Sequence, residues 1–161
     1  MIKQKAESAR IAMRKLAQVS SDVRNGALLA MADQVWQQRN QIIEVNQMDL
    51  ENGRKTDLAL PLMKRLSLNE EKISTMADNL RQVASLPELI GEVTRTWERP
   101  NGLQIGVMRV PIGLVGVIYE SRPNVTVEVS ALCLKSGNGV ILRGGSEAIH
   151  SNMLIAETLR R

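Results

Sequence analysis

Apolar residues in the first part of the chain recur every three or four positions, which is the spacing of amphipathic helices. One such stripe runs through residues 6–17, with lysines and arginines on the other faces. A second runs through residues 28–36, and Ser20, Ser21 and Asp22 offer side-chain oxygens that can cap its start. The pattern therefore predicts two helices that each bury one face.

Two more helices are predicted before residue 90. A segment over residues 42–50 is predicted to end at Gly53, in the left-handed conformation common after helices. Asn69 is predicted to cap the next helix, whose first turn is acidic and which ends before Pro87. Residues 1–90 are thus predicted to form a helical region.

The period changes from helical to two after Gly91. Apolar and polar residues alternate over residues 93–98 and again over 103–108, and Pro100-Asn101-Gly102 lies between them as a turn. Residues 91–110 are therefore predicted to form a β-hairpin. A lone two-stranded ribbon is marginally stable in water, so we expect it to pack on another subunit.

Residues 111–161 are predicted to form a strand, a crossover helix and a second strand, followed by a last helix. Residues 114–119 are continuously apolar, as in a strand buried on both faces. Residues 125–135 are long enough for the crossover, and residues 140–142 read as the second strand. Residues 146–161 would be the last helix. The predicted fold class is α/β, with a parallel sheet.

Composition excludes several classes of protein. The chain has 161 residues, a net charge of +4 and 43% hydrophobic residues, as expected for one soluble domain. Only two Trp, one Tyr and no Phe are present, so the stacking surfaces of nucleic-acid binders are lacking. A single cysteine excludes a disulfide framework or a zinc cluster, and we expect no metal.

The charge pattern also bears on location. Charged residues stand near the start, where a signal peptide would be apolar, and the longest apolar run, Val110 to Tyr119, is about half the length of a membrane-spanning helix. We expect a cytoplasmic protein without a membrane partner.

Two loops follow the predicted strands of the sheet, where ligands bind in open α/β folds. The second loop reads Arg143-Gly144-Gly145-Ser146-Glu147. Its glycines let the backbone approach a ligand, and the amides of the following helix favour an anion. A phosphate, or a ribose carrying one, would fit. The alternative is a tight turn with an exposed arginine.

The first loop reads Glu120-Ser121-Arg122-Pro123-Asn124. Asn124 can donate a hydrogen bond to a developing oxyanion, or it can simply cap the helix that follows. Arg122 can bind a phosphate or carboxylate through two parallel hydrogen bonds. Cys133 is interpreted as a core residue rather than a nucleophile, and His150 as a surface or supporting residue rather than a base.

Residues 110–127, 133–138 and 140–147 resemble the gamma-glutamyl phosphate reductases of the aldehyde dehydrogenase superfamily. The resemblance covers the whole chain, but only the N-terminal portion of the family's longer chain. It implies that NADPH reduces L-glutamate 5-phosphate to L-glutamate 5-semialdehyde and phosphate, the second step of proline biosynthesis. In that family a cysteine thiolate displaces phosphate, and hydride transfer to the resulting thioester gives the aldehyde.

The resemblance also implies roles for individual residues. Asn124 would be the oxyanion donor and Arg122 a substrate-binding residue. The cofactor NADP(H) would contact two groups of residues. One is the Arg143–Glu147 loop, where Arg143 would face the 2′-phosphate and Glu147 the ribose hydroxyls; the other is Tyr119, Glu120 and Ser121, near the nicotinamide.

The hairpin would be the arm through which subunits form a homo-oligomer, and glutamate 5-kinase is a candidate partner that supplies the labile substrate. Residues 1–161 would then be the N-terminal part of the NADP-binding domain, with a Rossmann-like sheet. No residue matches the family's nucleophilic cysteine, and the last predicted helix has no cap, so an incomplete and inactive piece is expected. The alternatives are a non-catalytic remnant that binds NADPH or pairs with a full-length subunit, and a dehydrogenase for another acyl phosphate or aldehyde.

Overall fold

Helical periodicity in the first half of the chain corresponds to five helices in the computed structural model, which describes residues 2–161. The helices are α1 (Ile2–Leu16), α2 (Ser21–Gln37), α3 (Arg39–Lys55), α4 (Leu60–Leu66) and α5 (Glu70–Ser85). Four were predicted, and the short α4 was missed. The prediction for Asn69 is confirmed, because its side chain accepts a hydrogen bond from the Lys72 N–H at 2.9 Å.

The second half contains two separate pairs of strands. An antiparallel hairpin, β1 (Val93–Glu98) and β2 (Gln104–Met108), is followed by β3 (Leu114–Ile118), α6 (Pro123–Lys135) and β4 (Gly139–Arg143). β3 and β4 pair in parallel, which confirms the α/β fold class. A 3₁₀ turn (Ser146–Ala148) then leads into α7 (Ile149–Thr158), so the last helix ends earlier than the predicted Arg161.

The main core lies among the helices. Large side chains of α2, α3 and α5 are completely or almost completely buried there, together with residues from α6 and α7. These residues are Leu28, Ala32, Val35, Ile42, Ile73, Met76, Leu80, Val127, Ala131 and Ile155. Each fully buried Leu or Ile contributes about 1.5–3 kcal/mol, so this cluster holds the helical layer against α6.

The interpretation of residues 114–119 as a strand buried on both faces is wrong for this chain. β3 is only half-buried, and Ile118 is 79% exposed. The sheet has two strands within residues 2–161, and α1 packs close to β4, where Ala9 and Met13 lie against Gly139. The apolar residues of β3 therefore lie on a sheet that the helices of this chain cover only in part.

The predicted left-handed glycine at position 53 is also wrong. α3 continues past Gly53 to Lys55, and the positive φ belongs to Asp57, at +50°. A Cβ at position 53 would lie 2.7 Å from the Met63 sulfur, so Gly53 allows the close approach of α4. Because α4 was not predicted, its contact with Gly53 was not predicted either, and the glycine was assigned to a helix end instead.

The left-handed glycine of a helix end occurs instead after α6. Gly137 has φ +67°, its N–H donates to the Leu134 carbonyl at 3.2 Å, and the Asn138 N–H donates to the Cys133 carbonyl at 2.8 Å. This pair of hydrogen bonds is the Schellman motif, which ends the helix and turns the chain into β4.

The hairpin has the predicted turn. The Gly102 N–H donates to the Arg99 carbonyl at 2.9 Å, and Gly102 has φ +80°. The two strands pack chiefly against each other, and Val93, Val107 and Met108 are each about half exposed. The hairpin thus presents apolar side chains to its surroundings.

Buried polar side chains connect the helices. The Asp49 carboxylate of α3 accepts hydrogen bonds from the backbone N–H groups of His150 and Ser151, at 3.2 and 2.8 Å, and so caps the start of α7. Asn46, one turn earlier, donates to the Leu66 carbonyl and accepts from the Leu68 N–H. His150 itself is partly exposed, with its Nδ1 2.7 Å from Asp49 Oδ1.

A second connection joins α2 to the segment after α5. The buried Arg24 pairs with Glu88, whose other oxygen accepts from the N–H groups of Leu89 and Ile90. Partial burial alone would raise the pKa of Glu88, but the hydrogen bonds from Ile90, Ser21 and Arg24, with the charge of Arg24, lower it from 4.5 to about 2.

We predict that this pair stabilises the fold above pH 4.5. Because the folded-state pKa lies below the unfolded value, the contribution is fully present above about pH 4.5 and is lost as the pH falls toward 2. Glu88→Gln should lower the free energy of unfolding by about 1 kcal/mol at pH 7, since the carboxylate is partly screened by solvent. Urea titrations between pH 7 and pH 3 should show the difference from wild type shrinking; a constant difference would contradict the prediction.

Candidate functional site

The parallel pairing of β3 and β4 brings the two predicted loops together. Ile118 lies opposite Arg143, and the Tyr119 N–H donates to the Arg143 carbonyl at 3.1 Å. The carboxyl ends of both strands therefore meet at one edge of the sheet, as the rule for open α/β sheets predicts.

An open cleft of about 400 Å³ lies at this edge. Its lining combines residues from both loops: Ile118, Tyr119, Glu120, Arg143, Gly145, Ser146 and Glu147. Six of these seven residues are among those predicted from the sequence to contact a cofactor. Ser121 and Gly144, the other two predicted contacts, lie beside the cleft without lining it.

Glu147 connects the two loops directly. Its Oε1 accepts hydrogen bonds from the Ser121 N–H at 2.5 Å and from the Ser121 hydroxyl at 3.0 Å. Within residues 2–161, no other residue donates a hydrogen bond to Oε2. Burial alone would raise the pKa of Glu147, but the hydrogen bonds from its own N–H and from Ser121, with the charge of Arg143, lower it below its usual range. The carboxylate is therefore ionised near neutral pH.

Ser121 has an unusual backbone conformation. Its φ is +42°, in the left-handed region, and Ser121 as a whole is only 1% exposed. A residue other than glycine costs about 1–3 kcal/mol there unless its surroundings hold it. The two hydrogen bonds to Glu147 supply that hold.

The two glycines of the second loop are required by close contacts rather than by backbone angles. A Cβ at position 145 would lie 2.1 Å from Glu147 Oε1, and one at position 144 would lie 2.2 Å from Asn152 Nδ2. Gly145 therefore leaves room for the carboxylate that reaches Ser121, and Gly144 leaves room for Asn152.

Sequence reasoning missed a buried polar chain behind the cleft. The Tyr119 hydroxyl lies 2.6 Å from Thr126 Oγ1, which donates to Asn152 Oδ1 at 3.0 Å. Burial raises the pKa of Tyr119, although its hydrogen bond with Thr126 lowers it, so the phenol stays protonated. Thr126 and Asn152 are both buried polar residues within helices, next to apolar residues in the sequence, and that pattern could have identified them.

Asn124 and Arg122 lie outside the cleft lining. Asn124 is not the cap of α6, so that interpretation is wrong: the capping residue is Arg122, and Asn124 sits inside the first turn after Pro123. Its Nδ2 donates to Glu128 Oε1 at 2.9 Å. Arg122 is exposed, and its side chain makes no capping hydrogen bond.

Cys133 has the environment of a core residue, as predicted. It is 7% exposed, and burial raises the pKa of its thiol. A buried thiol with a raised pKa is a poor nucleophile. The residues that the structure describes contain no group of three or more His, Cys, Asp or Glu side chains placed to hold a metal ion.

A second concavity, of about 450 Å³, lies between α1 and β4. Its lining is apolar and carries no charged side chain: Ala9, Ala12, Met13, Leu16, Val19, Gly139 and Val140. It offers a packing surface and no chemistry. Among residues 2–161, no helix is both long enough and apolar enough to cross a membrane.

Comparison with known proteins identifies the family. The model of the aldehyde dehydrogenase family matches residues 1–161. The chain belongs to the aldehyde dehydrogenase family. Within that family it is similar to the gamma-glutamyl phosphate reductases of Halothermothrix orenii, at 51% identity, and Clostridium novyi, at 55%, each over 154 residues. These matches cover 96% of this chain and 37% of each relative.

A solved aldehyde dehydrogenase family structure gives the same result. The crystal structure of gamma-glutamyl phosphate reductase from Thermotoga maritima superposes with a TM-score of 0.94 and 41% sequence identity, over 98% of this chain and 38% of that chain. The resemblance seen in the cleft loops thus extends to the whole described fold. The chain spans less than two-fifths of the length of these relatives.

We predict that Gly144→Ala destabilises this aldehyde dehydrogenase fold by about 1–3 kcal/mol, because the new methyl group would collide with the buried Asn152 side chain. Gly26→Ala is the matched control, since a Cβ there meets nothing within 4 Å inside α2. It should be neutral or stabilising by about 0.5–1 kcal/mol. Denaturant unfolding measures both, and equal effects would show that the contact with Asn152 is unimportant.

Proposed function

We propose that this chain forms part of an NADPH-dependent reductase that converts L-glutamate 5-phosphate to L-glutamate 5-semialdehyde and phosphate, the second step of proline biosynthesis, in the cytoplasm. The observation that carries the proposal is the 51–55% identity to gamma-glutamyl phosphate reductases over 96% of the chain. The match to the family model runs over residues 1–161 and so includes both loops of the cleft. The proposed reaction needs a nucleotide site, a site for the substrate anion and an oxyanion donor, and the chain offers residues for each of these three.

The residues around the cleft fit the ribose and phosphate of a nucleotide. Arg143 is exposed and positively charged, and it lines the cleft beside Glu147. One carboxylate oxygen of Glu147 accepts no hydrogen bond from any other residue of 2–161, and it can accept one from a ribose hydroxyl. The lack of a Cβ at Gly145 leaves room for this carboxylate beside the cleft. When bound, NADPH supplies the hydride that reduces the acyl group.

The substrate residues of the proposal lie on the neighbouring loop. Arg122 is exposed at the start of α6, and its guanidinium can bind the phosphate or carboxylate of the substrate. Asn124 follows within the first turn, and its side-chain amide can donate to the oxyanion once it leaves Glu128. Tyr119 and Glu120 also line the cleft, and in this proposal they lie near the nicotinamide.

The hairpin is proposed as the surface that joins subunits. Its half-exposed Val93, Val107 and Met108 form an apolar area that little else in the described chain covers. A second copy of the chain would bury these side chains and relieve the weakness of an isolated ribbon.

Arg143→Ala tests the nucleotide site. We expect the preference for NADPH over NADH to fall by about tenfold or more, because a charge-assisted hydrogen bond to the 2′-phosphate is lost. Dissociation constants for both nucleotides, from titration of nicotinamide fluorescence, give the ratio. Arg10→Ala, which removes an exposed arginine of α1, is the control and should leave the ratio unchanged. An unchanged preference in Arg143→Ala would remove Arg143 from the site.

Asn124→Ala tests the oxyanion role. In the full-length enzyme of which this chain would be part, turnover in the phosphate-dependent oxidation of glutamate 5-semialdehyde by NADP⁺ should fall about a hundredfold or more, with NADPH affinity nearly unchanged. Glu128→Ala is the matched control, since it frees the Asn124 amide without removing it and should leave turnover within about threefold. Equal losses in both variants would mean that Asn124 matters only for the start of α6.

A further inference from the structure

The contact between Glu147 and Ser121 joins two loops that the proposed function treats as separate sites. Glu147 follows β4 and faces the nucleotide cleft, whereas Ser121 precedes Arg122, the proposed substrate anion residue. Both bonds from Ser121 end on the same oxygen, Oε1. One carboxylate can therefore serve both loops at once, with a different oxygen for each.

Ser121 needs this contact more than an ordinary loop residue would. Its left-handed backbone sets the direction in which the chain leaves β3 and enters α6, and Arg122 is the next residue. The residue is buried, so water does not replace a lost hydrogen bond easily. Without Glu147, the serine would be free to return to the extended or helical region, and Arg122 would move with it.

The space for the contact is built into the second loop. Glu147 can fold back toward Ser121 only because position 145 lacks a side chain, since a Cβ there would overlap both carboxylate oxygens, at 2.1 and 2.2 Å. Arg143 also lines the cleft, and its positive charge adds to the hydrogen bonds that lower the pKa of this carboxyl group.

We propose that Glu147 is a positioning residue for the Ser121–Arg122 segment: Oε1 holds Ser121 in its left-handed conformation, which places Arg122 to receive the substrate anion, while Oε2 is left for the nucleotide. This inference rests on the proposed function for the identity of the two ligands. Binding of the nucleotide and of the anion are then linked through one side chain, and each should strengthen the other.

The experiment uses the purified native protein and a set of variants at the two positions. Glu147→Ala removes the hold, and Glu147→Gln keeps an acceptor oxygen for Ser121. Ser121→Gly, combined with Glu147→Ala, supplies a residue that adopts positive φ without help. Ser121→Ala in the same combination does not. Glu157→Ala, which removes an exposed carboxylate on α7, is the control.

The first readout is hydrogen exchange of the backbone amides around residue 121, which needs no ligand. Glu147→Ala should speed exchange at Ser121 at least tenfold, whereas Glu147→Gln and Glu157→Ala should stay within threefold of wild type. Unchanged exchange in Glu147→Ala would overturn the proposal, whatever the protein's activity.

The second readout is kinetic, with inorganic phosphate as the probe of the anion site in the NADP⁺-dependent oxidation. Glu147→Ala should raise the phosphate KM about tenfold with kcat within threefold, and adding Ser121→Gly should restore that KM to within threefold. The NADPH dissociation constant should stay raised in the double variant, because glycine cannot replace Oε2. An unchanged phosphate KM, a failure of glycine to restore it, or equal restoration by glycine and alanine would overturn the proposal.

The two levels of inference fail in different ways. A wild-type protein that neither binds NADPH nor turns over with phosphate would contradict the proposed function, and hydrogen exchange would still decide whether Glu147 holds Ser121. Normal activity with loss of NADPH affinity alone in Glu147→Ala would leave the proposed function standing and assign Glu147 to the nucleotide only.

Discussion

Parallel pairing of β3 with β4 is the constraint on which the candidate site depends. The register that sets Ile118 opposite Arg143 places the ends of both strands at the same height. Every contact across the cleft, from the Tyr119 backbone to the Glu147 carboxylate, requires that height to match. A shift of one residue would turn every side chain of the shifted strand to the other face and separate Ser121 from Glu147.

The helical layer supports this pairing from one side. α6 joins the two strands, and its buried face packs on α2 and α5 through Val127 and Ala131. The Schellman motif at Gly137 fixes where α6 ends and β4 begins. Buried polar contacts, such as Lys135 donating to the Ala84 carbonyl at 3.0 Å, hold α6 in place along its axis. The positions of β3 and β4, and with them the shape of the cleft, thus depend on helix contacts that lie more than ten residues away in sequence.

Local signals in the sequence predict most of this architecture. Helical spacing located α1, α2, α3 and α5, Asn69 marked a helix start, and Pro100-Asn101-Gly102 marked the hairpin turn. The rule for strand ends identified both loops. Gly53 was misread because its role depends on Met63 of a helix with no clear apolar period. The bond from Ser121 to Glu147 spans 26 residues and depends on the strand register, so no local pattern contains it.

The capping of α7 by Asp49 also has a consequence for the order of folding. The carboxylate and the helix start are 101 residues apart along the chain, so the cap forms only after a loop of that length has closed. Contacts of such separation form late, because their entropy cost precedes their reward. During synthesis from the N-terminus, α3 is made before α7, so Asp49 has no helix start to cap while the hairpin and β3 are being synthesised. The loop that carries Glu147 leads directly into α7, so the nucleotide side of the cleft gains the support of this cap only once α7 has reached Asp49.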